Sequence, residues 1–97
     1  GPNETFASLA LFLNMYERTL RKYNDALDTR ELREGDIVYI YPKKNRAEKR
    51  YPYCYFRGED TAWDIAQKYG IKLKSLYKLN AIPYGTPLTT HQRLDLR

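Results

Sequence analysis

Residues 61–80 read TAWDIAQKYGIKLKSLYKLN, and their spacing decides the fold. Asp60 or Thr61 can open a helix by accepting its unpaired backbone N–H groups. Ala62, Ile65, Ala66 and Tyr69 then recur at i, i+3, i+4 and i+7, which lays one apolar stripe along that helix. Gly70 ends it, because glycine takes the left-handed conformation without a Cβ penalty. A second helix is predicted with Leu73, Leu76 and Leu79 on one side. Asn80 stands just past its end, where an asparagine side chain can bond local backbone groups; a structural role there is favoured over ligand contact.

The same text recurs 56 residues earlier, where residues 5–24 read TFASLALFLNMYERTLRKYN. Over residues 5–40 the two copies align without a gap, and six positions are identical: Thr5/Thr61, Ala10/Ala66, Leu20/Leu76, Lys22/Lys78, Asn24/Asn80 and Leu32/Leu88. The apolar positions coincide as well, Leu9 with Ile65, Leu13 with Tyr69, Met15 with Ile71, Val38 with Leu94 and Ile40 with Leu96. Coincident patterning over a fixed period marks a repeat. Asn14 takes the place of Gly70, and each copy is expected to close with a strand, at residues 37–41 and 93–96.

An aromatic run at residues 51–56 precedes the second copy and reads as its opening strand. The first copy has no counterpart to that run in this sequence. Residues 37–41 are therefore expected to leave an open edge that pairs elsewhere, with a dimer through the first copy as one outcome. The opening Gly1-Pro2 reads as a remnant of tag removal, so a leader or an upstream domain is expected beyond these residues.

Composition limits the alternatives. The chain has 97 residues, 42% of them hydrophobic and 30% charged, which is globular rather than disordered. Ten tyrosines dominate the aromatics. The single cysteine, Cys54, excludes an internal disulfide, so packing alone must hold the fold. The longest apolar run, residues 9–13, is too short to span a bilayer. Net charge is +5 but unevenly placed. Residues 1–42 hold five basic and seven acidic side chains, whereas residues 43–50 hold five basic and one acidic. That concentration favours a solvated connector over a dedicated nucleic-acid patch.

A strand, two helices and a strand within about 45 residues resembles the LysM family. The second copy carries the family's landmarks in Gly58-Glu59-Asp60-Thr61, Trp63, Ile65-Ala66, Tyr69-Gly70, Leu76, Asn80, Leu88 and Leu94. The first matches at Thr5, Leu9-Ala10, Leu20, Asn24 and Leu32, and has Gly35-Asp36 where the family usually has Gly-Gln. The resemblance implies an α+β chain of two βααβ modules in tandem, the first without its opening strand. The expected division is a first module at 1–41, a basic linker at 42–52 and a second module at 53–97.

The second copy departs from the family in two places. His91 stands where the glycine before the last strand belongs, so that turn is expected to find another geometry. One extra residue also separates Gly58 from Thr61. Counting from Gly58 turns Tyr53 and Tyr55 inward, the favoured reading; counting from Thr61 turns Cys54 and Phe56 inward.

The resemblance further implies a cell-envelope protein that binds N-acetylglucosamine-rich glycans, either peptidoglycan or chitin-like oligomers. It would use no cofactor and would serve an attached hydrolase of the glucosaminidase type. The groove would lie between Gly58, Glu59, Asp60, Thr61 and Ala62 on one side and Ile82, Pro83, Tyr84 and Gly85 on the other. Tyr84 is the candidate stacking residue, with a turn tyrosine folded over the helix as the competing role. Trp63 reads mainly as core. A weaker groove in the first copy would use Glu4, Thr5 and Phe6 facing Asp25, Ala26, Leu27 and Asp28.

Catalysis has little support. Cys54 and His91 are each alone of their type, and no ligand spacing points to a metal. Glu59 and Asp60 adjoin on one loop, whereas glycosidase carboxylates flank the scissile bond from opposite sides. Two other readings stay open. One is a nucleic-acid or acidic-polymer binder using the linker basics with Tyr51, Tyr53 and Tyr55. The other is a protein–protein module with a filled groove.

Overall fold

The computed structural model describes residues 4–97, so Gly1-Pro2 and the outermost part of the proposed first module lie outside it. The chain forms two compact units, Gly1–Pro42 and Lys43–Arg97. The first contains α1 (Phe6–Phe12) and α2 (Glu17–Tyr23). The second runs β1 (Tyr53–Tyr55), α3 (Ala62–Tyr69), α4 (Leu73–Leu79) and β2 (Arg93–Asp95). This is a small α+β structure, and its second unit has the βααβ order.

In the second unit Thr61, not Asp60, caps α3. Its side chain accepts from Asp64 N–H while Asp64 reaches back to the Thr61 N–H, a reciprocal capping box. Gly70 closes the helix at φ 68°. β1 and β2 pair antiparallel, with Tyr53 opposite Asp95 and Tyr55 opposite Arg93. Trp63, Ile65, Ala66, Ile71, Leu73, Leu76, Tyr77, Leu94 and Leu96 form the core. Burying each large apolar side chain contributes on the order of 1.5–3 kcal/mol, so this cluster is the main stabilising term. Cys54 and Phe56 pack against it, while Tyr53 and Tyr55 are 43% and 55% exposed. The favoured inward reading of those tyrosines is thus corrected. The capping box fixes the phase at Thr61, and the extra residue is taken up by the loop before it.

The turn at His91 also differs from expectation. His91 adopts the left-handed conformation itself, at φ 71°, and donates its N–H to the Phe56 carbonyl at 2.7 Å. Glycine's geometry is kept without glycine, at a cost of about 1–2 kcal/mol.

Residues 43–47, expected to be solvated, pack on the second unit. Lys44 forms a parallel bridge with Ile71, donating to the Gly70 carbonyl at 3.0 Å and accepting from Lys72 N–H at 2.8 Å. Ala47 is buried and donates to the Leu96 carbonyl at 2.7 Å. Lys43 is buried as well, its Nζ donating to Gln67 Oε1 at 2.6 Å. A lysine stem is apolar, so it can line a core while its tip finds a polar partner. The charge count could not reveal that.

The first unit is smaller. Phe6, Ala10, Leu20 and Ala26 form its core, flanked by Leu9, Leu13, Met15, Leu32 and Val38. No strand forms at residues 37–41, which corrects that expectation. Ile40 is 44% exposed where Leu96 is fully buried.

Local geometry in the two units nonetheless matches at the 56-residue spacing. Thr5 and Ser8 form the same capping box as Thr61 and Asp64. Asn14, Asp25 and Gly35 take positive φ, as do Gly70, Ala81 and His91. Asn24 is buried, donates to the Leu20 and Tyr39 carbonyls and accepts from Tyr39 N–H. Asn80 does the same with Leu76 and Asp95. Both asparagines are structural.

Candidate functional site

The β1–α3 loop carries Gly58, Glu59, Asp60 and Thr61, all exposed. Gly58 sits at φ 88°, and a Cβ placed there would lie 3.1 Å from Thr90 Oγ1. The loop therefore rests against the far end of the long α4–β2 connection, whose near end carries Ile82, Pro83, Tyr84 and Gly85. Both stretches named from sequence thus belong to loops that touch at Gly58 and Thr90.

Their groups are not equally available. The Thr61 N–H and hydroxyl are both bonded to Asp64 Oδ2, at 3.0 and 2.9 Å. Ala62 and Ile82 lean into the core. The Pro83 carbonyl accepts from Thr86 N–H at 3.1 Å and from Thr86 Oγ1 at 2.6 Å. What faces solvent is the loop at residues 58–60 with its two carboxylates, the Tyr84 ring and open space around Gly85.

Tyr84 is both solvent-facing and in contact with α4. It is 67% exposed, yet its ring lies 5.3 Å from that of Tyr77 on α4, tilted by 56°. The buried Tyr77 braces it from below. Burial raises the Tyr77 hydroxyl above its ordinary pKa, and the neighbouring Tyr84 adds to that shift. Trp63 lies in the core at 3% exposure and presents no ring to solvent.

Glu59 and Asp60 also border a depression of about 490 Å³ on the β1–α3 side, where Tyr53, Tyr55, Arg57 and Lys68 line it. The favoured inward facing of Tyr53 and Tyr55 hid this surface, which only the acidic-polymer reading had placed outside. The alternation of Tyr51, Tyr53 and Tyr55 was the available signal. Cys54 lies in the same depression, and burial raises its thiol pKa despite the nearby Lys68.

In the first unit the corresponding stretches are built differently. Phe6 and Ala26 are wholly buried. Arg21 stands where the second unit has Tyr77. Its guanidinium lies 4.8 Å over the Phe6 ring, donates to the Ala26 and Arg30 carbonyls and pairs with Glu17 and Glu31. The hydrogen bond to Glu17, with Glu31 adding to it, raises the Arg21 pKa against the opposing effect of burial. Asp25 is half-buried at φ 51°, and Asp28 accepts from Arg30 N–H at 2.9 Å. Glu4, Thr5 and Leu27 are exposed, with Thr5 committed to its capping box.

Among the described residues no His, Cys, Asp and Glu cluster could hold a metal, and no helix is long and apolar enough to cross a membrane.

With that geometry in view, residues 57–97 match the LysM domain family. A LysM domain is present there, spanning both loops of the candidate groove. Domains of this family generally bind N-acetylglucosamine-containing glycans such as peptidoglycan, are generally non-catalytic and typically occur in cell-envelope or extracellular proteins. No curated protein matches the chain.

Proposed function

We propose that the second unit binds peptidoglycan without catalysis, through residues 58–62 and 82–85, and holds an attached cell-wall hydrolase at its substrate. The observation that carries this reading is the LysM match over residues 57–97, which includes the exposed Tyr84 braced on Tyr77. Tyr84 offers an apolar ring to a sugar's C–H face, and the free backbone at 58–60 offers partners to the N-acetyl amide. Each neutral hydrogen bond contributes about 1 kcal/mol net, so short oligomers bind weakly and longer chains gain through repeated subsites.

The first unit is, on this reading, a diverged second module in tandem. Its support is the shared capping boxes, left-handed positions and asparagine clamps at the common spacing. At the position where Tyr77 carries the Tyr84 ring the first unit has Arg21, bonded to the Ala26 and Arg30 carbonyls, which favours a different partner for it.

The test is an NMR titration with N-acetylglucosamine oligomers and peptidoglycan fragments at low and moderate salt. Salt-tolerant shifts at residues 58–62 and 82–85 support the reading. Steep salt dependence centred on residues 43–57 supports a polyanion binder instead. Absence of shifts with every sugar rejects glycan binding.

A further inference from the structure

β1 is bonded along one side. Phe56 N–H meets the Gln92 carbonyl at 2.8 Å and Leu96 N–H meets the Pro52 carbonyl at 3.0 Å. In that antiparallel register Pro52, Cys54 and Phe56 turn their backbone groups toward β2, and alternation turns the N–H and C=O of Tyr53 and Tyr55 away from it. Asp95, opposite Tyr53, points outward on β2 in the same way, and there Asn80 closes the edge. Among the described residues nothing closes the edge at Tyr53 and Tyr55. An unpaired edge is a template for a further extended segment.

The depression of about 490 Å³ runs along that edge. Tyr53 and Tyr55 line it from the outer face of β1, Cys54 and Phe56 from the inner face, and no residue of β2 does. Residues of both faces meet at the edge of a strand. Lys68 and Tyr69 of α3 form the facing wall. Four charged side chains border the space, Arg57, Glu59, Asp60 and Lys68, all exposed and none in a salt bridge among the described residues. A groove between a strand edge and a helix, with backbone partners along one side and both signs of charge, suits a short extended peptide that carries carboxylates and an amine. An N-acetylglucosamine oligomer carries no charge and would use none of these groups.

We propose that this groove takes the short peptide of peptidoglycan while the neighbouring loops hold its sugars. Peptidoglycan bears on alternate sugars a peptide of a few residues with free carboxylates and a side-chain amine. Glu59 and Asp60 belong both to the groove and to the loop at residues 58–62, so a peptide branching from a sugar held there adjoins the groove. The Tyr53 and Tyr55 backbone pairs with its amides, Lys68 and Arg57 meet its carboxylates, and Glu59 and Asp60 meet its amine. The choice of occupant rests on the glycan reading above; the open edge and its charges do not.

The test is an NMR titration of the full chain with a peptidoglycan fragment, the same fragment stripped of its peptides, and the free peptide. The intact fragment shifts the Tyr53 and Tyr55 amides along with the loops, and the stripped fragment shifts the loops alone. The intact fragment binds about tenfold more tightly, the contribution of one hydrogen bond to a charged group. Lys68→Glu brings the two within about twofold; Lys68 is exposed, so that variant keeps its fold. Equal binding of both fragments, or a preference that survives Lys68→Glu, overturns the proposal and leaves the glycan reading intact. If the stripped fragment does not bind, the glycan reading fails by itself and the free peptide decides this proposal. Shifts at Tyr53 and Tyr55 that Lys68→Glu abolishes then sustain it, and no shifts overturn it. A peptide of L-residues with the same charges that binds more tightly than the peptidoglycan peptide also overturns it, because the occupant is then a segment of another protein.

Discussion

Asn80 holds Asp95 from both sides: its Nδ2 donates to the Asp95 carbonyl at 3.0 Å, and its Oδ1 accepts the Asp95 N–H at 2.7 Å. The same amide donates to the Leu76 carbonyl at 2.8 Å. One side chain thus ends α4 and pins the last strand to it. Asn24 repeats the arrangement with Tyr39 and Leu20, and there it is fully buried. Replacing Asn24 by Ala removes three side-chain hydrogen bonds to backbone groups. Each contributes about 0.5–1.5 kcal/mol net, so the expected loss is roughly 2–4 kcal/mol. Urea unfolding followed through probes in each unit checks this. Loss confined to the second unit would contradict the assignment of the clamp.

His91 and Gly58 make opposite predictions about glycine. His91→Gly removes left-handed strain of about 1–2 kcal/mol and returns about 0.5–1 kcal/mol of unfolded-state entropy, for a net gain of roughly 0.5–1 kcal/mol. Gly58→Ala meets both a φ of 88° and the Thr90 hydroxyl at 3.1 Å, whereas Gly85→Ala at φ 83° meets open space. Gly58→Ala is therefore the more destabilising of the two. Thermal unfolding of the three variants ranks them, and equal losses at Gly58 and Gly85 would show that Thr90 moves aside freely.

The helices were legible in the sequence because their determinants are local. Thr61 and Asp64 lie one turn apart, Gly70 follows the stripe, and the first copy repeats both signals at Thr5 and Asn14. The facing of β1 was not legible, because its period of two inverts with the single residue added between Gly58 and Thr61. Nor was the seating of residues 43–47. A run of lysines reads as solvent-exposed until the stem of Lys43 is seen buried above Gln67. The two loops of the candidate groove were named from resemblance, and what sequence missed in them is which groups are already committed: Thr61 to its helix cap, Pro83 to Thr86.

The seating of residues 43–47 predicts that the second unit loses stability when they are cut away. A fragment beginning at residue 53 lacks Ala47 in the core and the bridge of Lys44 to Ile71. It should unfold at a lower urea concentration than the fragment Lys43–Arg97. Ala47→Asp in the longer fragment, which buries an unpaired carboxylate, should cost at least as much. Equal midpoints for both fragments would return the segment to the status of a connector.

Tyr84 and Tyr77 act together in the proposed site. Tyr84→Ala removes the exposed ring and should weaken oligosaccharide binding about three- to tenfold, in line with about 1 kcal/mol for a ring contact. Tyr77→Phe keeps the apolar brace and should leave affinity within about twofold, a change below 0.5 kcal/mol. Isothermal titration with a long N-acetylglucosamine oligomer separates the two. A Tyr84→Ala variant with unchanged affinity would remove Tyr84 from the groove.

Alkaline pH offers an independent probe of the same pair. Burial raises the Tyr77 hydroxyl pKa above its ordinary 10.0, and Tyr84 raises it further. Between the two values the unfolded chain has released the proton and the folded chain still holds it. The unfolded state then binds fewer protons, so stability falls as pH rises. The stabilisation is complete below pH 10, declines from there and is gone once pH passes the folded-state value. Cys54 adds a decline of the same sign beginning near its ordinary 9.0, since burial raises its thiol pKa too. Urea midpoints of the fragment Lys43–Arg97 from pH 8 to 11 should therefore fall in two overlapping stages. Cys54→Ala removes the first stage and Tyr77→Phe the second. A Tyr77→Phe variant with the full upper decline would show that other tyrosines carry it.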